Sequence, residues 1–110
     1  MDAIIERLRA SKRQQVDDVI QKGLEAGRDW AEKTASYKDL RIVAEKLEFP
    51  DDPDDVQYNT IAGALGEPAG DLFKPYYDEE HVTYTHIDPY FQIGFYRGAG
   101  QVWKEVKDKL

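Results

Sequence analysis

The sequence contains no cysteine, only two histidines, and no uninterrupted apolar run of the roughly 18 residues that a membrane helix needs. The absence of cysteine excludes disulfides, thiol catalysis and cysteine-ligated metals. The first six residues already carry charges, and no apolar signal region or small-residue cleavage site follows them. These features predict a cytoplasmic protein that has no membrane partner.

The sequence also lacks the strings that mark common catalytic sites. It has neither a G-x-S-x-G nucleophile elbow nor a G-x-x-x-x-G-K-[ST] phosphate loop. Its two serines, Ser11 and Ser36, lie where helices are predicted to begin, and their hydroxyls are better explained as helix caps. We therefore predict no catalytic residue and no cofactor, and we favour a binding role over an enzymatic one.

Charge is distributed unevenly along the 110 residues, whose formal net charge is -7. Residues 48–80 contain ten acids and one base, whereas residues 1–13 contain four bases and two acids. The overall acidity disfavours direct binding to nucleic acid or anionic lipid, because both carry phosphates. Exposed aromatics beside acids are common at protein interfaces. The residues predicted to bind a partner protein of unknown identity, a basic protein being one option, are Asp51, Asp52, Asp54, Asp55, Tyr76, Tyr77, Asp78, Glu79 and Glu80.

The length is that of one domain with one core, and apolar residues recur mostly at helical spacing. The sequence predicts a mainly α-helical fold, a compact four-helix arrangement whose short connections favour antiparallel neighbours. Ser11 either starts a second helix or is passed by one long helix. The predicted helices cover residues 3–10, 12–34, 37–48, 53–65 and 89–108, with an irregular acidic insert over 66–88.

Local signals place several of these boundaries. Ser36 and Asp52 are typical N-caps, and Asp88 followed by proline predicts the start of the last helix. Gly66 is expected to end the helix before it. Residues 81–87 are rich in β-branched and aromatic side chains, which favours one short strand. Such a strand would pair near Tyr76 or across a dimer axis; otherwise the segment is irregular and exposed.

Glycines recur at helical spacing in the first long helix and in the last one. Each glycine inside a helix costs about 1 kcal/mol relative to alanine, so some interaction must offset the loss. Close approach of two helix backbones would do so through many dispersion contacts, with a tryptophan covering each crossing. The residues concerned are Gly23, Gly27, Trp30, Gly94, Gly98, Gly100 and Trp103.

Two locations for this crossing remain open on the sequence: inside one chain, or between two copies of it. The last helix has apolar residues on two sides, which is typical of a helix that is central in the fold or that lies between subunits. A self-complementary contact through one glycine face would produce a two-fold homodimer. We therefore expect the chain itself among its partners.

Three functions are compatible with the sequence. The first is a small binding or regulatory protein, homodimeric, that acts through its acidic and aromatic segment. The second is an inhibitor that imitates nucleic acid and occupies the phosphate groove of a basic protein. The third is a metal-dependent enzyme built on His81, His86 and nearby carboxylates. The spacing of the two histidines matches no helical metal motif, so we predict no metal site.

Overall fold

A computed structural model describes residues 1–56, 60–67, 69–76 and 88–110, and these residues are mostly helical, with no strand among them. The segment 81–87, predicted as a strand, lies outside the described residues. The α-helices are α1 (Asp2–Lys33), α2 (Tyr37–Arg41), α3 (Thr60–Leu65), α4 (Ala69–Phe73) and α5 (Pro89–Val106). A π-helical turn spans Ile42–Lys46, and 3-10 turns span Pro53–Asp55, Lys74–Tyr76 and Lys107–Lys109.

Helix α1 runs without a break through Ser11, so of the two alternatives the single long helix forms. The predicted boundary between residues 10 and 12 is wrong because the flanking residues are good helix formers and neither glycine nor proline interrupts them. The Gln14 amide donates to Asp18 one turn ahead, at 3.0 Å, instead of closing a capping box with Ser11.

The predicted helix 37–48 begins as an α-helix, as expected, but continues as a π-helical turn. Ser36 caps it, since the Ser36 hydroxyl accepts a hydrogen bond from the Asp39 amide at 3.1 Å. Beyond Arg41 the chain widens into the π-helical turn, whose last bond joins the Leu47 amide to the Ile42 carbonyl at 2.8 Å. The helical conformation therefore ends at residue 46.

The predicted helix 53–65 is not continuous. Asp52 and proline start it as predicted, and the Asp52 carboxylate accepts from the Asp54 amide at 2.9 Å. Only one 3-10 turn follows, because Val56 takes an extended conformation and its side chain is buried in the core. Helix α3 resumes at Thr60 and ends before Gly66, whose φ of 72° is the left-handed conformation predicted for the residue that ends this helix.

The two long helices, α1 and α5, form the centre of the described structure and run parallel to each other. A Cβ built at Gly23 would overlap the carbonyl oxygen of Phe91, and a Cβ built at Gly27 would overlap that of Phe95. Residue numbers therefore rise together along both helices. The prediction that short connections favour antiparallel neighbours does not extend to this pair, because 55 residues separate the two helices.

The contact is reciprocal, since glycines of α5 also face the backbone of α1. A Cβ at Gly94 would overlap the Ile20 carbonyl oxygen, and a Cβ at Gly98 would overlap the Leu24 carbonyl oxygen. Small-x-x-x-small pairs on both helices thus let the two backbones touch within one chain. Gly100, predicted in the same set, does not lie at the crossing: apart from its chain neighbours and the nearby backbone of its own helix, no described residue has an atom within 4 Å of a Cβ built there.

Aromatic rings fill the core beside this crossing. Trp30 packs against Phe95 with ring centroids 5.4 Å apart, and Phe73 meets the edges of Phe91 and Phe95 at 6.1 and 5.0 Å. The other apolar side of α5 is also covered by its own chain, because Trp103 is only 7% exposed and Tyr96 stacks on Phe49. Trp103 and Tyr96 on this side thus pack against their own chain, whereas Gly100 between them is not covered by a described residue.

The N-terminal half of α1 extends beyond the packed region. We call residues 1–15 the arm; every residue in it is exposed, whereas the buried residues of α1 begin at Gly23. The described residues accordingly measure 55 × 30 × 23 Å along their principal axes.

Candidate functional site

The predicted partner-binding aspartates lie together in one exposed turn. We call residues 48–56 the acidic turn; Asp51, Asp52, Asp54 and Asp55 are all exposed in it. The local cause is the start at Asp52 and proline described above, which begins a 3-10 turn whose remaining two residues are acids. The turn is therefore stable locally and still presents its carboxylates to solvent.

Two apolar residues anchor the acidic turn to the core. On its N-terminal side, Phe49 stacks on Tyr96 of α5 with centroids 4.7 Å apart and planes 13° apart. On its C-terminal side, Val56 is 7% exposed. Pro50 and Pro53 lie half-buried between these anchors, so the surface of the turn alternates apolar patches with carboxylates. Because the turn is anchored at both ends, its carboxylates have a fixed position relative to α5.

The carboxylates of the acidic turn carry uncompensated charge. Among the described residues the ion pairs join Arg28 to Glu32 and Glu105, Lys33 to Asp29, and Arg41 to Glu45, and none of them reaches residues 48–56. Like charges close together on a surface raise the local negative potential and attract cationic partners. The turn therefore attracts cations, and its attraction should weaken with salt.

Tyr76 does not project freely beside these aspartates. Its ring lies 6.2 Å from that of Phe95, and its hydroxyl lies near Thr34 and Asp29 of the α1 end. Burial is the main reason that the pKa of Tyr76 is raised above 10.0. The structure thus holds Tyr76 against α1 and Phe95, whereas the acidic turn is anchored through Tyr96.

The remaining predicted partner-binding residues are Tyr77, Asp78, Glu79 and Glu80, and they lie outside the described residues, as do His81 and His86. In the part of the chain that is described, no group of three or more histidine, aspartate and glutamate side chains is placed to hold a metal ion.

Sequence reasoning missed a polar network that crosses between the two long helices. Arg28 of α1 donates to Gln101 at 3.1 Å and to both carboxylate oxygens of Glu105 at 3.0 and 3.1 Å, and also to Glu32 at 3.3 Å. Such a bidentate arginine–carboxylate pair fixes geometry as well as charge. The sequence holds a signal for it, because residues 26–32 and 99–105 share the pattern A-G-x-x-W-x-E.

The pKa values in this network follow from the contacts. The hydrogen bond from Arg28 lowers the pKa of Glu105 below its ordinary 4.5, and the same bond raises the pKa of Arg28. Both side chains remain partly exposed, so salt screens part of their attraction. The network's position at the end of the glycine crossing indicates that it sets the register of the two helices.

A second polar contact, which is partly buried, anchors Trp103. Its indole nitrogen donates to Glu45 at 2.9 Å, and this bond is the main reason that the pKa of Glu45 is lowered. An open depression of ≈ 720 Å³ lies beside the contact, and its described lining contains no histidine or serine. The arrangement offers no nucleophile paired with a base, and its chemistry is that of structural hydrogen bonding.

None of the described helices is both long enough and apolar enough to cross a membrane. Comparison with known protein families, curated proteins and solved structures finds no match to this chain.

Proposed function

We propose that this is a small cytoplasmic binding or regulatory protein, homodimeric, that captures a basic protein segment through the acidic turn. The observation that supports the proposal is the exposed group of aspartates, which is anchored at both ends and has no ion pair among the described residues. Because the backbone that carries these carboxylates is already fixed, binding costs little conformational entropy. The Coulomb attraction to a basic segment therefore contributes to the affinity with little loss.

Nucleic-acid mimicry receives less support from the same geometry. A mimic needs carboxylates spread along a surface at phosphate-like intervals. The described acids of residues 48–56 instead crowd into a single turn, which fits a short basic segment better than an extended phosphate groove.

Binding to a synthetic lysine- and arginine-rich peptide, measured by fluorescence anisotropy, tests the proposal. We compare the wild type with Asp51→Asn/Asp55→Asn, which spares the Asp52 cap. The control, Asp17→Asn/Asp108→Asn, removes the same charge at exposed positions elsewhere. The acidic-turn variant should bind about tenfold more weakly, and the wild type should lose affinity as salt rises. Equal affinities for the two variants would contradict the proposal.

A further inference from the structure

The arm carries an apolar stripe that no described residue covers. Met1, Ile4, Ile5 and Leu8 are 88, 49, 39 and 55% exposed, and they supply most of the large apolar side chains that are exposed among the described residues. At 100° per residue the four lie on one side of α1. An amphipathic helix usually buries such a stripe, and an isolated helix of this length is marginal in water.

Basic residues border this stripe. On the helical wheel Arg7 lies on one flank and Arg9 on the other, while Lys12 continues the stripe by one turn. The arm's two acids, Asp2 and Glu6, fall toward the opposite side of the helix. The arm therefore presents an apolar surface inside a positive rim, which is complementary to an apolar surface that carries carboxylates.

The acidic turn is such a surface. Its half-buried Phe49, Pro50 and Pro53 are interleaved with the exposed aspartates, and no described base neutralises them. Apolar contact and opposite charge are thus available at the same place on both surfaces. The two surfaces therefore match in more than net charge. On each of them, the apolar and the charged side chains lie within the length of one or two helical turns.

An arm cannot reach the acidic turn of its own chain. The turn is anchored through Tyr96, the neighbour of Phe95, whose carbonyl faces Gly27 of α1. Leu8 lies 19 residues before Gly27, which is about 28 Å along a helix that rises 1.5 Å per residue. Helix α1 is continuous over this distance, so the arm cannot fold back.

Two arms are also poor partners for each other. The four bases at positions 7, 9, 12 and 13 lie between two acids on one side, at positions 2 and 6, and two on the other, at 17 and 18. Pairing two such arms in parallel register brings the basic centres together, and like charges in contact oppose association. The acidic turn instead presents only negative charge to the basic rim of the arm.

We infer that the arm of one protomer docks on the acidic turn of a second copy, and that the second copy's arm docks on the first in return. This deepens the proposed function, on whose acidic turn it rests, by identifying a partner of that turn as the chain itself. Reciprocal exchange closes the assembly with two-fold symmetry and covers both apolar stripes.

Sedimentation equilibrium of the full chain at low and high salt tests the assembly. We expect a dimer at low salt whose dissociation constant rises at least about tenfold toward 0.5 M salt, because opposite charges at the contact are screened. A protein that stays monomeric at a protein concentration of about 100 µM and low salt would overturn the inference.

Charge-reversal variants locate the contact. Arg7→Glu/Arg9→Glu and Asp51→Lys/Asp55→Lys should each weaken the dimer about tenfold or more, and combining all four changes in one chain should restore it. The control Lys38→Glu/Arg97→Glu makes the same net change as the first variant at exposed positions on α2 and α5 and should leave the dimer intact. Circular dichroism checks that every variant keeps its helix content.

Three outcomes separate the alternatives. A dimer that survives both charge reversals, or that the four-fold variant fails to restore, would overturn docking on the acidic turn. A monomer whose arm binds vesicles of anionic phospholipid would overturn it in favour of a membrane surface. If the dimer is absent but Asp51→Asn/Asp55→Asn still loses the basic peptide, the proposed function holds and only this inference fails.

Discussion

Two glycines in one helix can have opposite consequences for stability, and α5 contains such a pair. At Gly94 the backbone of α1 occupies the space that a side chain would need, whereas Gly100 faces open space within the described structure. Both glycines carry the same intrinsic helix penalty of about 1 kcal/mol relative to alanine. Only at Gly94 does close packing offset that penalty.

We therefore expect Gly94→Ala and Gly100→Ala to shift the free energy of unfolding in opposite directions. Gly94→Ala should destabilise by about 1–3 kcal/mol, because its Cβ forces the two backbones apart. Gly100→Ala should stabilise by about 1 kcal/mol through helix propensity alone. Urea unfolding followed by circular dichroism measures both, and two shifts of the same sign would contradict the crossing described above.

The Arg28–Glu105 contact predicts how acid affects stability. The folded-state pKa of Glu105 is lowered, so the contact stabilises the fold above the ordinary value of 4.5. This stabilisation is lost as the pH falls through the lowered pKa, when the carboxylate becomes protonated. Glu105→Gln should therefore have a lower Tm than the wild type at pH 7.

The measurement is a series of thermal melts of both proteins between pH 7 and about pH 2.5. The difference in Tm should shrink as the pH falls below 4.5 and should also shrink when salt is added at pH 7. The control Glu25→Gln removes an exposed carboxylate of α1 and should show no such convergence. A difference that stays constant with pH would contradict the assigned contact.

Sequence spacing was sufficient to predict which glycines share one face of a helix, but not to predict which face meets the other helix. Gly23 and Gly27, and likewise Gly94 and Gly98, are four apart, so each pair was predictable as one face of a helix. Gly100 was predicted in the same set, but it lies two residues beyond Gly98, which places it on a different side of α5. Which side meets α1 depends on long-range packing, and spacing within one helix carries no information about it.

At the scale of elements, α1 combines two environments in one helix. Its C-terminal half is packed against α5, while the arm extends past the start of α5 and is covered by none of the described residues. Helical stability in proteins comes mainly from packing of an apolar face. The two halves should therefore open with different free energies although their hydrogen bonds are alike.

Amide hydrogen exchange resolves the two halves. In high salt, where the proposed dimer dissociates, amides over residues 5–15 should exchange at least about a hundredfold faster than those over 22–30. At low salt the arm should gain protection. Equal protection along all of α1 in high salt would show that the arm has a partner in the monomer.

Helix caps were predictable because they depend on residues a few positions apart. Ser36, Asp52 and Asp88 each cap as predicted, the last by accepting from the Tyr90 amide at 2.8 Å. The helix ends and directions that were not predicted depend on contacts with residues distant in the sequence. Burial of Val56 stops the 3-10 turn, and long-range contacts such as that of Gly23 with Phe91 determine that α1 and α5 are parallel.

At the scale of the whole molecule, the arm dominates the shape. The radius of gyration is 15.0 Å, above the value of about 13 Å for a compact chain of this length. Deleting residues 2–13 should bring the monomer close to the compact value in small-angle X-ray scattering. Because these residues are exposed in the monomer, the deletion should change the free energy of unfolding in high salt, where the proposed dimer dissociates, by less than about 0.5 kcal/mol. A larger loss would mean that the arm contributes to the core.

The parallel pairing of α1 with α5 also has a consequence for how the chain is made. Backbone contacts such as Gly23 with Phe91 join positions that are 68 residues apart. A chain emerging from the ribosome therefore exposes the glycine face of α1 until residues near 106 have been synthesised. Folding of this centre must await the last helix, and during that interval chaperones have access to a surface that the finished protein hides.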